Sequence, residues 1–176
     1  MEEIKSKIRT IPNWPKEGIM FRDITTLLLD SNAFNKTMDL LFERYKDKEI
    51  TSIAGIESRG FIFGSVLASK LRVAFIPIRK KGKLPGEVIQ QEYELEYGTD
   101  VMEIHTDAIS SGDSVLIVDD LIATGGTALA ACNLVESAGG KVVECSFIVD
   151  LPDLGGMNKL KNNGYNVFNL IEFEGE

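Results

Sequence analysis

Apolar positions follow two different rhythms along the chain. Phe34, Met38, Leu41, Phe42 and Tyr45 recur at three- and four-residue spacing, which predicts a helix over 33–45, with Ser31-Asn32 ahead of it as a cap. After residue 50 the pattern becomes short continuous apolar runs, at 50–55, 73–78, 114–118, 141–149 and 165–170, each predicted as a strand. Segments 61–71, 127–138 and 157–163 between them predict helices, and Ala138-Gly139-Gly140 supplies a helix stop. Residues 2–9 read as a short amphipathic helix. Residues 11–26, with Pro12, Pro15 and Gly18, read as ordered but irregular. The polar stretch 79–96 is expected to be extended over 87–96, with 101–105 as its strand partner, and 119–126 is expected to be a loop. Strands alternating with helices predict an α/β protein with a mostly parallel twisted sheet flanked by helices. The closing residues 172–176 read as a frayed acidic tail.

Composition adjusts this picture only at the edges. A chain of 176 residues predicts one domain spanning 1–176, long enough to bury its own core. Its net charge of −8 argues against a nucleic-acid partner, which calls for a basic domain. A small anion remains compatible, because basic residues cluster at Arg79-Lys80-Lys81-Gly82-Lys83. Cys132 and Cys145 lack metal-ligand spacing and read as buried thiols of a reducing, cytoplasmic compartment. No signal peptide and no run of membrane-spanning length is visible, so no membrane partner is expected. His105, the single histidine, reads as structural or exposed.

The chemistry concentrates in residues 115–127: a buried strand, the acids Asp119 and Asp120, then Ala123-Thr124-Gly125-Gly126-Thr127 leading into a helix. Ligands of open α/β sheets bind outside the carboxyl ends of the strands, where this segment lies. Gly125 and Gly126 let backbone amides approach an anion, the helix start adds its positive dipole end, and Thr124 and Thr127 add hydroxyls. The turn has no lysine, so it is not a Walker A loop, and it lacks dinucleotide-binding glycine spacing. Neutral donors suit one terminal monophosphate. Asp119 and Asp120 would repel that phosphate, so they are expected to face vicinal hydroxyls or a magnesium ion.

Residues 115–127 resemble the phosphoribosyl-pyrophosphate motif of the type I phosphoribosyltransferase family. The segments 18–24, 57–61, 79–86 and 95–98 are similar to the adenine-specific members of that family in order and spacing. The resemblance spans nearly the whole chain and weakens after about Asp150. It implies a purine-salvage enzyme that transfers the phosphoribosyl group of phosphoribosyl pyrophosphate to adenine, giving AMP and pyrophosphate. It implies Mg2+ carried by the substrate rather than by a dedicated all-protein site, and a homodimer. Arg59, Arg79, Lys80 and Lys83 would meet the pyrophosphate. Met20, Phe21 and Arg22 would meet adenine, Phe21 by stacking and its two neighbours through backbone groups. The resemblance also implies a cis peptide at Glu57-Ser58, hood elements at about 11–26 and 81–97, Glu96 as the acid–base residue, and Tyr97 as a lid residue.

Two rivals are weaker. Enzymes of 6-oxopurines place an acid in the phosphate loop, where this chain has Ala123. A regulatory module sensing phosphoribosyl pyrophosphate would need a nucleic-acid surface, which the acidic balance disfavours.

Overall fold

The computed structural model describes residues 1–94 and 98–175. Helix α1 (Glu2–Lys5) leads into an antiparallel hairpin of β1 (Arg9–Pro12) and β2 (Met20–Asp23), in which Thr10 pairs with Arg22 and Ile11 with Phe21. The segment expected to be irregular is therefore regular at both ends. Asp23 organises it, accepting from the Arg9 guanidinium, from the Thr25 backbone N–H at 3.0 Å and from the Thr25 hydroxyl at 2.7 Å. These contacts join residues up to fourteen positions apart, beyond the reach of a local pattern.

Helix α2 (Thr25–Leu29) is followed by α3 (Ser31–Tyr45), which buries Ala33, Thr37, Met38, Leu41 and Tyr45 along one stripe. Its cap is Asp30 rather than Ser31-Asn32. The Asp30 backbone is extended, and its side chain accepts the Ala33 N–H at 3.0 Å, a bond that stabilises a helix by about 1 kcal/mol.

The main sheet comprises β3 (Ser52–Ile56), β4 (Ala74–Lys80), β5 (Val88–Glu94), β6 (Thr99–His105), β7 (Ser114–Ile122), β8 (Lys141–Asp150) and β9 (Val167–Glu172), in the order β5-β6-β4-β3-β7-β8-β9. Strands β4, β3, β7, β8 and β9 run parallel, while β6 pairs antiparallel with β4 and β5. Helices α4 (Arg59–Leu71) and α3 cover one face, over Ile53, Leu116, Val118 and Ile148. Helices α5 (Gly126–Ser137) and α6 (Gly156–Asn162) cover the other, over Ile117, Cys145 and Phe147. Every residue of β3 is buried, as expected of a central parallel strand covered on both sides. Cys132 and Cys145 are free buried thiols, their sulfurs 3.4 Å apart. His105 ends β6 half-buried, opposite Val88.

Two expectations change here, and a third holds. Strand β7 continues through Asp119 and Asp120 to Ile122, because β8 is long enough to pair with it as far as Asp150, so the loop is confined to 123–125. The expected pairing of the polar stretch holds: strand β5 pairs with β6 along its length, a regular antiparallel ribbon from Val88. The tail is docked rather than frayed: Phe173 N–H donates to the Asp150 carbonyl at 3.0 Å and Gly175 N–H to the Asp153 carboxylate at 2.8 Å.

Candidate active site

The carboxyl ends of β3, β4 and β7 open onto a cavity of about 290 Å3. Its floor is apolar, with Ile56, Ile78, Met102, Ile122 and Phe147. Glu57, Arg59, Arg79 and Lys80 form one wall, Asp119 another, and Ala123, Thr124, Gly125 and Thr127 the turn that closes it. Basic side chains and the backbone turn thus face each other across the ends of three parallel strands.

The turn owes its shape to a second glycine segment. Gly125 takes φ 78°, and a Cβ there would lie 2.9 Å from the Gly156 carbonyl oxygen. Gly156 in turn donates its N–H to the Ala123 carbonyl at 3.0 Å, and a Cβ on it would sit 2.7 Å from the Ile122 side chain. The glycine at 125 therefore serves backbone packing against the start of α6 as well as access from the cavity. A Cβ on Gly126 would point toward the Glu94 carbonyl, 3.1 Å away, and its missing side chain does not line the cavity.

The two acids have different surroundings. Asp119 lies half-buried on the cavity wall, and its carboxylate accepts the Asp120 N–H at 2.9 Å. Asp120 is 2% exposed behind the wall, with Oδ2 at 3.0 Å from Arg59 Nε. Burial, then the neighbouring Asp120 charge, pushes the Asp119 carboxyl well above the usual range. Burial raises Asp120 as well, opposed by Arg59. Apart from that ion pair, Asp120 Oδ2 has no hydrogen-bond partner among the described residues. Under-compensated carboxylates at a cavity favour donors or a cation, so the residues present fit magnesium or sugar hydroxyls. Among the described residues no group of three or more His, Cys, Asp or Glu could hold a metal by itself.

Arg59 begins α4, where the preceding Glu57–Ser58 peptide is cis. Its guanidinium carbon lies 5.7 Å from the Phe21 ring, so it spans the gap between the acids and the hairpin. Arg79 donates to Glu57 at 3.1 Å and to the Lys83 carbonyl at 3.2 Å. Lys80 Nζ is 3.2 Å from Asp100. Lys83 is exposed and does not line the cavity; its carbonyl rather than its ammonium takes part. Met20, Phe21 and Arg22 stand on β2 outside the cavity lining, and Phe21 packs edge-on against Trp14 with ring centroids 4.4 Å apart. Glu96 and Tyr97 lie outside the described residues.

A phosphoribosyl transferase domain model matches residues 24–173. Over 173 residues the chain is 54% identical to the adenine phosphoribosyltransferase of Shewanella amazonensis, covering 98% of this chain and 96% of that one. The chain belongs to the adenine phosphoribosyltransferase family. The crystal structure of the adenine phosphoribosyltransferase from Thermoanaerobacter pseudethanolicus superposes with a TM-score of 0.94 at 51% identity, covering 98% and 99% of the two chains. The Saccharomyces cerevisiae enzyme, complexed with an imino-altritol bisphosphate and adenine, gives a TM-score of 0.90 at 44% identity, covering 97% of this chain and 97% of that one.

Three residues of this phosphoribosyltransferase's site escaped the sequence pattern. Glu57 holds Arg79 and accepts the Lys80 N–H at 2.9 Å, orienting the basic wall. It stood in the quoted 57–61 segment, but nothing local distinguished it. Tyr93 reaches the cavity from β5 and donates its hydroxyl to Asp100 at 3.2 Å; burial, then Asp100, pushes that hydroxyl up to about 12. Gly60 lets α4 approach β7, since a Cβ there would lie 2.7 Å from the Val118 carbonyl oxygen and 2.9 Å from the Asp119 carboxylate.

Proposed function

We propose that this chain is a purine-salvage enzyme that transfers the 5-phosphoribosyl group of phosphoribosyl pyrophosphate to adenine, forming AMP and pyrophosphate. The observation that carries this reading is one cavity joining the 123–125 turn, the half-buried Asp119 and a basic wall. The spacing suits a sugar phosphate bearing a second anionic group. The yeast relative that holds adenine supports the base. One domain spanning 1–176 carries the activity, with hood elements near 11–26 and 81–97.

In this reading Ala123, Thr124, Gly125, Gly126 and Thr127 hold the 5'-phosphate through backbone amides and hydroxyls, aided by the positive end of α5. Asp119 and Asp120 meet the ribose hydroxyls or Mg2+, which arrives with the substrate's pyrophosphate and neutralises its charge. Arg59, Arg79 and Lys80 meet the pyrophosphate, and Lys83 joins them from the rim. Phe21 stacks on adenine while the Met20 and Arg22 backbones read its amino edge. The bond from ribose C1 to pyrophosphate oxygen breaks, and the electron pair leaves with pyrophosphate. Adenine N9 bonds to C1, and the Glu96 carboxylate takes the N9 proton. The hood, Tyr97 included, excludes water from the ribosyl cation.

The protein works as a homodimer in the cytoplasm, the first by family resemblance and the second because two free buried thiols suit a reducing compartment. The net charge of −8 disfavours a nucleic-acid partner. No helix among the described residues is long and apolar enough to cross a membrane.

The test is turnover with Mg2+, phosphoribosyl pyrophosphate and each purine base. AMP should form, while guanine and hypoxanthine react poorly, because each buried donor–acceptor mismatch costs about 1–3 kcal/mol. Comparable turnover with guanine would overturn the adenine assignment. Glu96→Gln should lower kcat by about 10²–10⁴-fold with little change in KM. Full turnover in that variant would send the proton elsewhere.

A further inference from the structure

The base-reading hairpin is fastened by a part of the chain that the reaction does not use. Arg22 is only 8% exposed, yet its hydrogen bonds go to neutral oxygens: the Thr10 hydroxyl at 2.7 Å, the Glu174 carbonyl at 3.1 Å and the Gly175 carbonyl at 3.2 Å. Its guanidinium carbon sits 4.7 Å above the Phe173 ring. The tail itself is anchored at the end of β8 by Phe173 N–H to the Asp150 carbonyl, and on the turn that follows by Gly175 N–H to the Asp153 carboxylate. Burying a cation is costly unless oxygens and a ring face compensate it, so Arg22 and the tail hold each other.

A two-stranded hairpin is marginally stable by itself in water, and β1–β2 pairs with no other strand among the described residues. Side chains alternate along a strand, so fixing Arg22 on one side of β2 fixes its neighbour Phe21 on the other. Phe21 is the ring that faces Arg59 and Trp14. We propose that the C-terminal tail, residues 173–175, is a clamp that acts through Arg22 to position Phe21 for the base. The inference rests on the reading of Phe21 as the base-stacking residue. Arg22 is here a positioning residue: its side chain faces the tail and leaves the base to its neighbours.

The test is a chain ending at Phe173, compared with the full chain. Michaelis constants for both substrates would be measured together with fluorescence anisotropy of Trp14, the single tryptophan, which touches Phe21. Truncation should raise KM for adenine about tenfold, leave KM for phosphoribosyl pyrophosphate and kcat within about twofold, and lower the Trp14 anisotropy. Asp153→Ala, which keeps the tail but removes the Gly175 anchor, should move the same readouts in the same direction by about threefold; it decides the matter if the truncated chain does not fold. Phe21→Ala separates the two readings. If it raises the adenine KM while truncation and Asp153→Ala leave KM and anisotropy unchanged, the clamp is overturned. If Phe21→Ala leaves the adenine KM unchanged, the base-site reading falls, and the role given to the tail falls with it.

Discussion

Among the carboxylates this molecule buries, Glu144 and the Asp119–Asp120 pair are built to opposite ends. Glu144 on β8 is 6% exposed and surrounded by donors: Arg44 at 2.8 Å, the Tyr45 hydroxyl at 2.7 Å and Lys48 at 3.2 Å. Burial alone would raise its pKa, but the Arg44 and Tyr45 bonds outweigh it and hold the carboxyl below the usual range. The guanidinium of Arg44 also stacks 3.7 Å from the Phe168 ring centroid, locking α3 to the sheet. Among the described residues, Arg59 is the cation paired with Asp120, Asp119 accepts the Asp120 N–H, and both carboxyls are raised. A satisfied buried acid stabilises the fold, whereas a raised carboxyl on a cavity wall has unused capacity to accept donors.

Substitutions can break this contrast, and the largest effect is expected at Glu144. Glu144→Ala leaves Arg44 and the Tyr45 hydroxyl without their partner and should destabilise the protein by about 3–5 kcal/mol in urea unfolding. At temperatures where the variant remains folded, kcat/KM should match the parent, since none of these groups lines the cavity. Next comes the double variant Asp119→Asn with Asp120→Asn. It should lose about 10²–10³-fold in kcat/KM for phosphoribosyl pyrophosphate while unfolding at the same or a higher urea concentration. An unstable double variant with normal turnover would mean that the acids are structural and would erase the distinction. The smallest effect is in acid. A carboxyl whose folded pKa is depressed contributes stability above its unfolded pKa and loses it as pH falls through the folded value. The stability gap between parent and Glu144→Gln should therefore be full at pH 7 and close below the ordinary carboxylate range, as read by thermal unfolding across pH 3–7.

What could be read from the sequence tracks how local each feature is. The 115–127 segment carries its own explanation: apolar run, acids, glycines and helix start are consecutive, so the cavity-facing end of β7 was visible without a structure. The strand–helix alternation behind it was equally local. Asp120 being screened behind Asp119 was not visible, because its surroundings come from Arg59, sixty-one residues upstream. Glu57, Tyr93 and Gly60 acquire their places only when β3, β5 and β7 converge. The tail is the plainest case. Residues 172–176 look frayed because they hold only acids, glycine and one phenylalanine, and residues 173–175 are docked by Asp150, by Asp153 and by Arg22, some 150 positions away. The hairpin itself depends on Asp23 reaching Arg9, another contact that periodicity does not encode.

Adjacent residues on β7 face different neighbours: Asp119 the cavity, Asp120 the root of α4. This makes the segment a ruler read in single-residue steps. A substitution along Val115, Leu116, Ile117 and Val118 alters volume and can be absorbed by repacking, but the loss or gain of one residue there would exchange the two carboxylates and misalign the turn that follows. Length, more than composition, is the quantity that this strand conserves physically. Insertions tolerated at the exposed turn around Gly112 should be lethal to activity three residues later.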